Sequence, residues 1–491
     1  MSLNGNLAAD DADERGPESW MKLLLPMLAA IALVGCAVGP DYRAPDTKPA
    51  AFANADAGVV VADAYEARWW KLFGDEQLAT LVEQALAANH DIGIAVARVS
   101  QARALFRDQR LDQFPVVTAN AAGTFGREPL VTASSPGYTG PRTEVENARV
   151  GFDAAWELDL FGRVRRGVEA ARAEAEGAEA GLREAQVLVA AEVARHYFEW
   201  RGAGEQIDVA RRNRDTQAET LRLTDVRLRL GRGTELEVVS ARARLEVTEA
   251  TIADLELAQK RSEHRLAVLL GQRPGAWTPP AVADAPAIAR ALPVGGAEDL
   301  LRRRPDIARA AAQLHAATAR IGLAKADYFP RLSVTGFAGI VTGSFGDLGE
   351  AAHRAWTVTP QVSWAAFDMG SIAARVDAAD ANTRAAAAAY EQAVLVALEE
   401  VENAFVGVSR SRQRLEHTLA QAGAARRAAE LARIQYRAGS TDFLVLLDAE
   451  RTLLAAEDGV ARAETAVNTS TVQMYKALSG GWNEVGVVAA R

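Results

Sequence analysis

Apolar and polar residues alternate one by one at two places along the chain, and a period of two predicts strands. Val150, Phe152, Ala154, Trp156 and Leu158 fall on one face, with Arg149, Gly151, Asp153, Ala155 and Glu157 on the other. Farther on, Trp356, Val358, Pro360, Val362 and Trp364 oppose Thr357, Thr359, Gln361 and Ser363. A weaker alternation follows each of two Phe-Pro pairs, Phe114-Pro115 and Phe329-Pro330. It sets Val117, Ala119 and Ala121 against Thr118, Asn120 and Thr124, then Leu332, Val334 and Ala338 against Ser333 and Thr335.

Proline is absent from Arg142 to Arg273 and again after Pro360. Because proline costs about 3 kcal/mol in a helix interior, its exclusion permits long helices, and both stretches are rich in Ala, Glu, Arg and Leu. The pattern predicts helices from about Arg163 to Leu230 and from about Ser371 to Ala438, each on the order of 100 Å long at 1.5 Å per residue. Gly231 and Gly439 predict left-handed C-terminal caps. Thr234, with Glu237 three places on, is a capping-box signal for a return helix. Each long helix therefore turns back as a hairpin, and helices of this length must pack against neighbours in their own chain and in others.

The two halves are copies of one another. Trp156-Glu-Leu-Asp-Leu-Phe-Gly162 matches Trp364-Ala-Ala-Phe-Asp-Met-Gly370, and Arg229-Leu-Gly231 matches Arg437-Ala-Gly439 at the same offset. The Phe-Pro pairs match at a slightly larger offset, because the first copy carries a longer loop between its strands. Each copy reads helix, Phe-Pro, strand, loop, strand, Gly, very long helix, Gly turn, helix. The period is far too long for a solenoid and fits a duplicated half-subunit.

Composition narrows the function classes. With 49% hydrophobic and 24% charged residues the 491-residue chain has the makeup of a folded protein. A net charge of -9 argues against nucleic acid as a partner, which would call for a basic face. No stretch beyond the N-terminus approaches the roughly 20 apolar residues of a spanning helix, so membrane contact has to come through lipid or strands. The one cysteine, Cys36, excludes an intrachain disulfide. It closes a run from Met21 of one Lys, an apolar stretch and Leu33-Val34-Gly35-Cys36, the layout of a secretory signal. Asp10, Asp11, Asp13 and Glu14 stand where the start of such a signal should be basic, so Met21 is the expected translation start.

Four strands with one apolar face cannot lie in lipid alone, because their edges would stay unpaired, and membrane barrels need at least eight strands. Two chains would supply eight, which side chains fill; three would supply twelve and leave an opening. If the strands cross a membrane and conduct, the trimer is the smallest arrangement that works, and the polar face carrying Asp153, Glu157, Thr357 and Gln361 suits a wet lumen.

These residues resemble the TolC-like outer-membrane efflux proteins, specifically the NodT-type lipoprotein branch that serves resistance-nodulation-division pumps. The carriers are Gly35-Cys36-Ala-Val-Gly39-Pro40-Asp41-Tyr42 through Pro45, Trp69-Trp70 through Leu78, the paired Phe-Pro strand starts, and the turns RLGRGTELEVVSARARLE and RAGSTDFLVLLDAERTLL. The resemblance covers residues 21 to about 480. It implies an α+β membrane protein: a homotrimeric, twelve-stranded outer-membrane β-barrel, four strands per chain, continuous with a long periplasmic α-helical barrel. Cys36 matches the lipobox cysteine, which implies lipidation there and no other cofactor; Ala37 after it implies export to the outer membrane. A periplasmic adaptor and an inner-membrane pump are implied partners, with the adaptor meeting hairpin tips at Arg229, Leu230, Gly231, Tyr436, Arg437 and Gly439. The periplasmic gate maps to Leu444, Asp448 and Arg451, where the first copy has Leu236, Ser240 and Ala243. Glycine capping alone, and a plain surface ion pair between Asp448 and Arg451, remain the simpler readings of the same residues.

The expected domains are a removed signal at 1–35, a lipid-anchored equatorial segment at 36–75 and a first repeat at 76–270. A Pro-rich equatorial linker at 271–296, a second repeat at 297–480 and a tail at 481–491 follow. No enzyme is expected: the six histidines are dispersed, no metal motif or phosphate-binding glycine loop is present, and no metal site is anticipated. The expected function is a passive exit duct for small toxic compounds. The alternatives are the duct of a type I protein secretion system and a lipid-anchored periplasmic coiled-coil scaffold, the latter requiring unbroken heptads and no strands.

Overall fold

The computed structural model describes residues 37–45, 52–56, 60–61, 67–129, 142–279, 292–296, 300 and 302–479. The signal segment 1–35, Cys36, the middle of the 271–296 linker and the tail 481–491 lie outside the described residues. Helices α1 (Glu76–Ala88) and α2 (His90–Leu111) come first, then strands β1 (Val116–Pro129) and β2 (Arg142–Leu158), then helices α3 (Arg163–Arg229) and α4 (Glu235–Leu269). Helix α5 (Pro305–Ala326), strands β3 (Arg331–Thr342) and β4 (Arg354–Ser363), and helices α6 (Met369–Arg437) and α7 (Phe443–Ala477) follow. The order helix, two strands, 67- or 69-residue helix, 35-residue helix thus occurs twice. Among the described residues no helix is long and apolar enough to cross a membrane.

The chain divides into two compact units. The first is built from residues up to Arg43, Arg103–Ala173 and Leu314–Ala386; the second from Ala44–Ala102, Glu174–Gln313 and the residues from Ala387 on.

The first unit contains the sheet, ordered β1-β2-β3-β4 and antiparallel throughout. Pro115 and Pro330 fix where its strands begin, since a helix cannot continue through the residue before a proline; α2 and α5 both end three residues before the Phe-Pro pair. The return into α3 is made by Asp159, whose carboxylate accepts the N–H groups of Val164 at 3.1 Å and Arg165 at 2.8 Å, an acidic group where the helix dipole favours it. The two tryptophans that mark the repeat do the same work: Trp156 Nε1 donates to the Gln113 carbonyl at 3.1 Å and Trp364 Nε1 to that of Tyr328 at 3.0 Å.

The second unit holds the main core. Trp69 and Trp70 are fully buried, and Trp69 stacks on Tyr475 of α7 at 5.6 Å. Asp75 caps α1 through Gln77 and Leu78 and also accepts the Tyr197 hydroxyl at 2.7 Å and Arg201 at 2.8 Å. Val60–Val61 pairs in parallel with Leu292–Pro293, and Glu402 accepts the backbone N–H groups of Ala53 and Asn54. Segments from the N-terminal part of the chain, from the linker and from the C-terminal helix therefore meet in this unit. One expectation is corrected. The single helix anticipated before Phe114 is split at Asn89, whose side-chain Oδ1 accepts the N–H groups of Asp91 and Ile92 while its Nδ2 donates to the Leu269 carbonyl, an N-cap for α2.

Candidate functional site

Two regions carry the candidate functional residues, one in each unit. In the first, cross-strand register carries the alternation across all four strands. Val117, Ala119 and Ala121 align with Ala154, Phe152 and Val150; Phe152 and Trp156 align with Ala338 and Val334; and these align with Trp356 and Pro360. One face is therefore continuously apolar and faces outward uncovered: Trp356 is 78% exposed, Val358 63% and Phe152 60%. Contiguous apolar surface of this kind marks a contact with lipid or protein. The opposite face carries Thr118, Asn120, Asp153, Glu157, Thr335, Thr357, Thr359 and Gln361. Asp153 there accepts Asn120 Nδ2 and Arg149 Nη2, both at 2.6 Å. With 10 to 17 residues each, all four strands reach the roughly 9–11 residues of a membrane-crossing strand.

One aromatic breaks the pattern. Phe337 lies on the polar face yet is buried, with the Arg149 guanidinium 4.0 Å from its ring centroid. Its ring occupies the space that side chains at Gly151 and Gly339 would fill, 2.7 and 2.8 Å from their would-be Cβ atoms. Simple alternation could not have found this, because the space comes from one glycine on the neighbouring strand and one on its own, and the cover from Arg149 across the strands.

In the second unit α3 turns into α4, and α6 into α7, through matching caps. Gly231 has φ +65° and Gly439 φ +70°. At both, the next N–H reaches back to a carbonyl of the last turn, Arg232 to Arg227 at 2.8 Å and Ser440 to Gln435 at 2.9 Å, the hydrogen-bond pattern of a Schellman cap. A Cβ at either glycine would meet nothing within 4 Å, so the turn demands glycine for its φ, not for space. The capping box of Thr234 and Glu237 is present.

The anticipated tip residues separate into two groups. Leu230 is 67% exposed, and Arg229 is an exposed side chain paired with Asp225 at 2.7 Å. Tyr436 is buried instead: it packs on Phe443, and the Arg227 guanidinium sits 4.5 Å from its ring centroid. It braces the two tips against each other and presents nothing to a partner. Burial also raises its pKa above the ordinary tyrosine value. Of the expected gate residues, Leu444 is 64% exposed, and its counterpart Leu236 is 70% exposed. Asp448 accepts from Arg451 at 2.6 Å across one turn of the same helix, with both side chains exposed.

Beside them is a charged cluster that sequence reading passed over. Glu450 is buried, accepting Arg433 Nη2 of α6 at 3.1 Å and Thr220 Oγ1 of α3 at 3.5 Å, while its second oxygen has no hydrogen-bond partner. Burial raises its pKa above the ordinary carboxylate range, against the pull of Arg433. A signal existed: Phe443, Leu446, Glu450 and Leu453 fall three and four apart, so Glu450 stands on the apolar stripe of α7.

Asp347, Glu350 and His353, on the turns between β3 and β4, bring ligand atoms within 4.8 Å of one another. They were not anticipated from the sequence, and exposed acidic groups of this kind commonly hold no ion.

The sequence profile of the outer membrane efflux protein family matches residues 81–272 and again residues 296–480. The chain belongs to the outer membrane efflux protein family. Among its relatives, the antibiotic efflux pump outer membrane protein ArpC of Pseudomonas putida is 32% identical over 94% of this chain and 96% of its own length. The cation efflux system protein CusC of Escherichia coli O157:H7 is 29% identical over 94% and 99%. Among solved structures, the outer-membrane channel OprN is 46% identical with a TM-score of 0.87, covering 91% of this chain and all of that one. The open state of the Neisseria gonorrhoeae MtrE outer membrane channel is 28% identical with a TM-score of 0.80, covering 91% and 99%. In this efflux-protein chain the first match runs from within α1 to just past α4, and the second takes in α5 to α7.

Proposed function

We propose that three copies of this chain form the outer-membrane exit channel of a tripartite efflux system, a passive duct for small toxic compounds. The observation that carries the reading is the sheet: one face apolar and uncovered, the other polar, with both outer strands open at the edge. In hydrocarbon such edges must be paired, and three four-stranded sheets closed edge to edge give a twelve-stranded barrel with room for an aqueous lumen. The two copies of the element order reflect an internal duplication. Cys36 carries the lipid that holds the N-terminus at the membrane. The hairpin tips, through Arg229, Leu230 and Arg437 over the caps at Gly231 and Gly439, dock a periplasmic adaptor. An inner-membrane pump of the resistance-nodulation-division type supplies the energy. Leu444, with Asp448 and Arg451, narrows the periplasmic mouth. The relatives named above are efflux components, which supports efflux over the type I secretion alternative.

Deleting the gene is expected to raise sensitivity to several unrelated toxic compounds, and a plasmid copy to restore resistance; the detergent-extracted protein is expected to run as a trimer by native mass spectrometry. Unchanged survival across a broad panel in a strain lacking redundant channels, or a stable monomer, would overturn the reading.

A further inference from the structure

The residues immediately after Cys36 are bound into the first unit with unusual completeness. Val38 N–H donates to the Phe161 carbonyl at 3.0 Å. Arg166, in the first turn of α3, has a side chain only 5% exposed. It donates from Nε to the Val38 carbonyl at 3.3 Å and from Nη2 to the Gly39 carbonyl at 3.4 Å and to Asp41 Oδ1 at 2.7 Å. Its Nη1 reaches Glu169 at 2.7 Å. Tyr42 stacks on His315 of α5 at 4.3 Å, and His315 Nε2 lies 3.0 Å from Glu169.

The backbone fit is equally close. Gly39, at φ +97°, would place a Cβ 2.4 Å from the Gly322 Cα. Gly162, at φ +83°, would place one 2.5 Å from the Ala37 side chain. Both contacts are possible only because neither glycine has a side chain. A plain tether between a lipid and a folded body needs none of this. Burying a guanidinium is costly unless every donor direction finds an acceptor, and here two backbone carbonyls and two carboxylates provide them.

We propose that Ala37–Tyr42 is a built clasp, with Arg166 as its positioning residue, that seats the lipid-bearing terminus against the junction of β2 with α3. The groove is made by both copies of the repeat, Gly162 and Arg166 from one and His315 and Gly322 from the other. The acyl chains and the sheet then meet the bilayer as one rigid piece. The inference rests on Cys36 being the lipidated residue.

Hydrogen exchange by mass spectrometry on the full-length, detergent-extracted protein tests it, read on the peptide spanning residues 37–42. In wild type this peptide should be protected. Arg166→Gln should speed its exchange at least about tenfold, Arg166→Lys should restore part of the protection, and Asp41→Asn, which alters only an exposed side chain, should loosen it without risk to the fold. Incorporation of labelled palmitate should be unchanged in all of these and absent in Cys36→Ser. Unprotected exchange in wild type, or protection untouched by Arg166→Gln and Asp41→Asn, overturns the clasp. A protected segment in a wild-type chain that takes up no palmitate overturns the anchor reading instead.

Discussion

Removing either member of the Glu450–Arg433 pair should have unequal effects, because the two side chains differ in burial. Glu450 is 6% exposed in its side chain and Arg433 33%, at a separation of 3.1 Å. Arg433→Met strands the carboxylate, and breaking a buried pair from one side costs about 3–5 kcal/mol. Glu450→Gln removes the charge that burial penalises while Arg433 turns to water, at a cost of about 1 kcal/mol or less. At on the order of 2 °C per kcal/mol for a chain of this size, Arg433→Met should melt roughly 6–10 °C below wild type and Glu450→Gln within about 2 °C of it. The pH dependence has a definite sign. The folded-state pKa of Glu450 is raised above its unfolded value, so its contribution is present at low pH and is lost as pH rises through the folded pKa. Without Arg433 that pKa rises further, and the deficit of Arg433→Met should shrink on acidification from neutral pH toward about pH 5. Far-ultraviolet circular dichroism of the detergent-extracted protein, heated at each pH, reads both effects. Equal losses in the two variants, or an Arg433→Met deficit that stays constant with pH, would refute the reasoning.

Two further predictions concern the hairpins. Asp448→Ala combined with Arg451→Ala should raise conductance in planar bilayers while leaving the helix intact, since the pair is an exposed one worth under about 1 kcal/mol to folding; conductance equal to wild type removes the gate assignment. Leu230→Asp should reduce cross-linking to the adaptor several-fold, whereas Gly231→Ala should instead lower stability by about 1–2 kcal/mol through its left-handed φ. Adaptor capture unaffected by Leu230→Asp would take docking away from the first tip.

Much of the fold was legible because the signals that define it are local. Proline exclusion permitted the length of α3 and α6, and the glycine caps and the Thr234–Glu237 box that bound them act over a single turn. The strand faces followed from a period of two that register then carried across the sheet. What escaped were placements decided by residues distant in the chain. Tyr436 lies near the end of α6, three residues before Gly439, and reads as a tip residue, yet Phe443 and Arg227 pack against it. Asn89 reads as one more helical residue until Leu269 offers its amide an acceptor. Arg166 is one arginine among several at the start of α3, and only the returning N-terminal segment sets it apart. In the candidate gate, sequence located Leu444, Asp448 and Arg451 on α7 but passed over Glu450, whose neighbours on α3 and α6 lie far from it in sequence.

Strands β1 and β4 each leave a bare rim of main-chain donors and acceptors along the sheet. Such a rim is adhesive, ready to pair with any extended segment it meets. Chains whose rims stay open should therefore collect as insoluble material, and the insoluble share should grow as expression is raised.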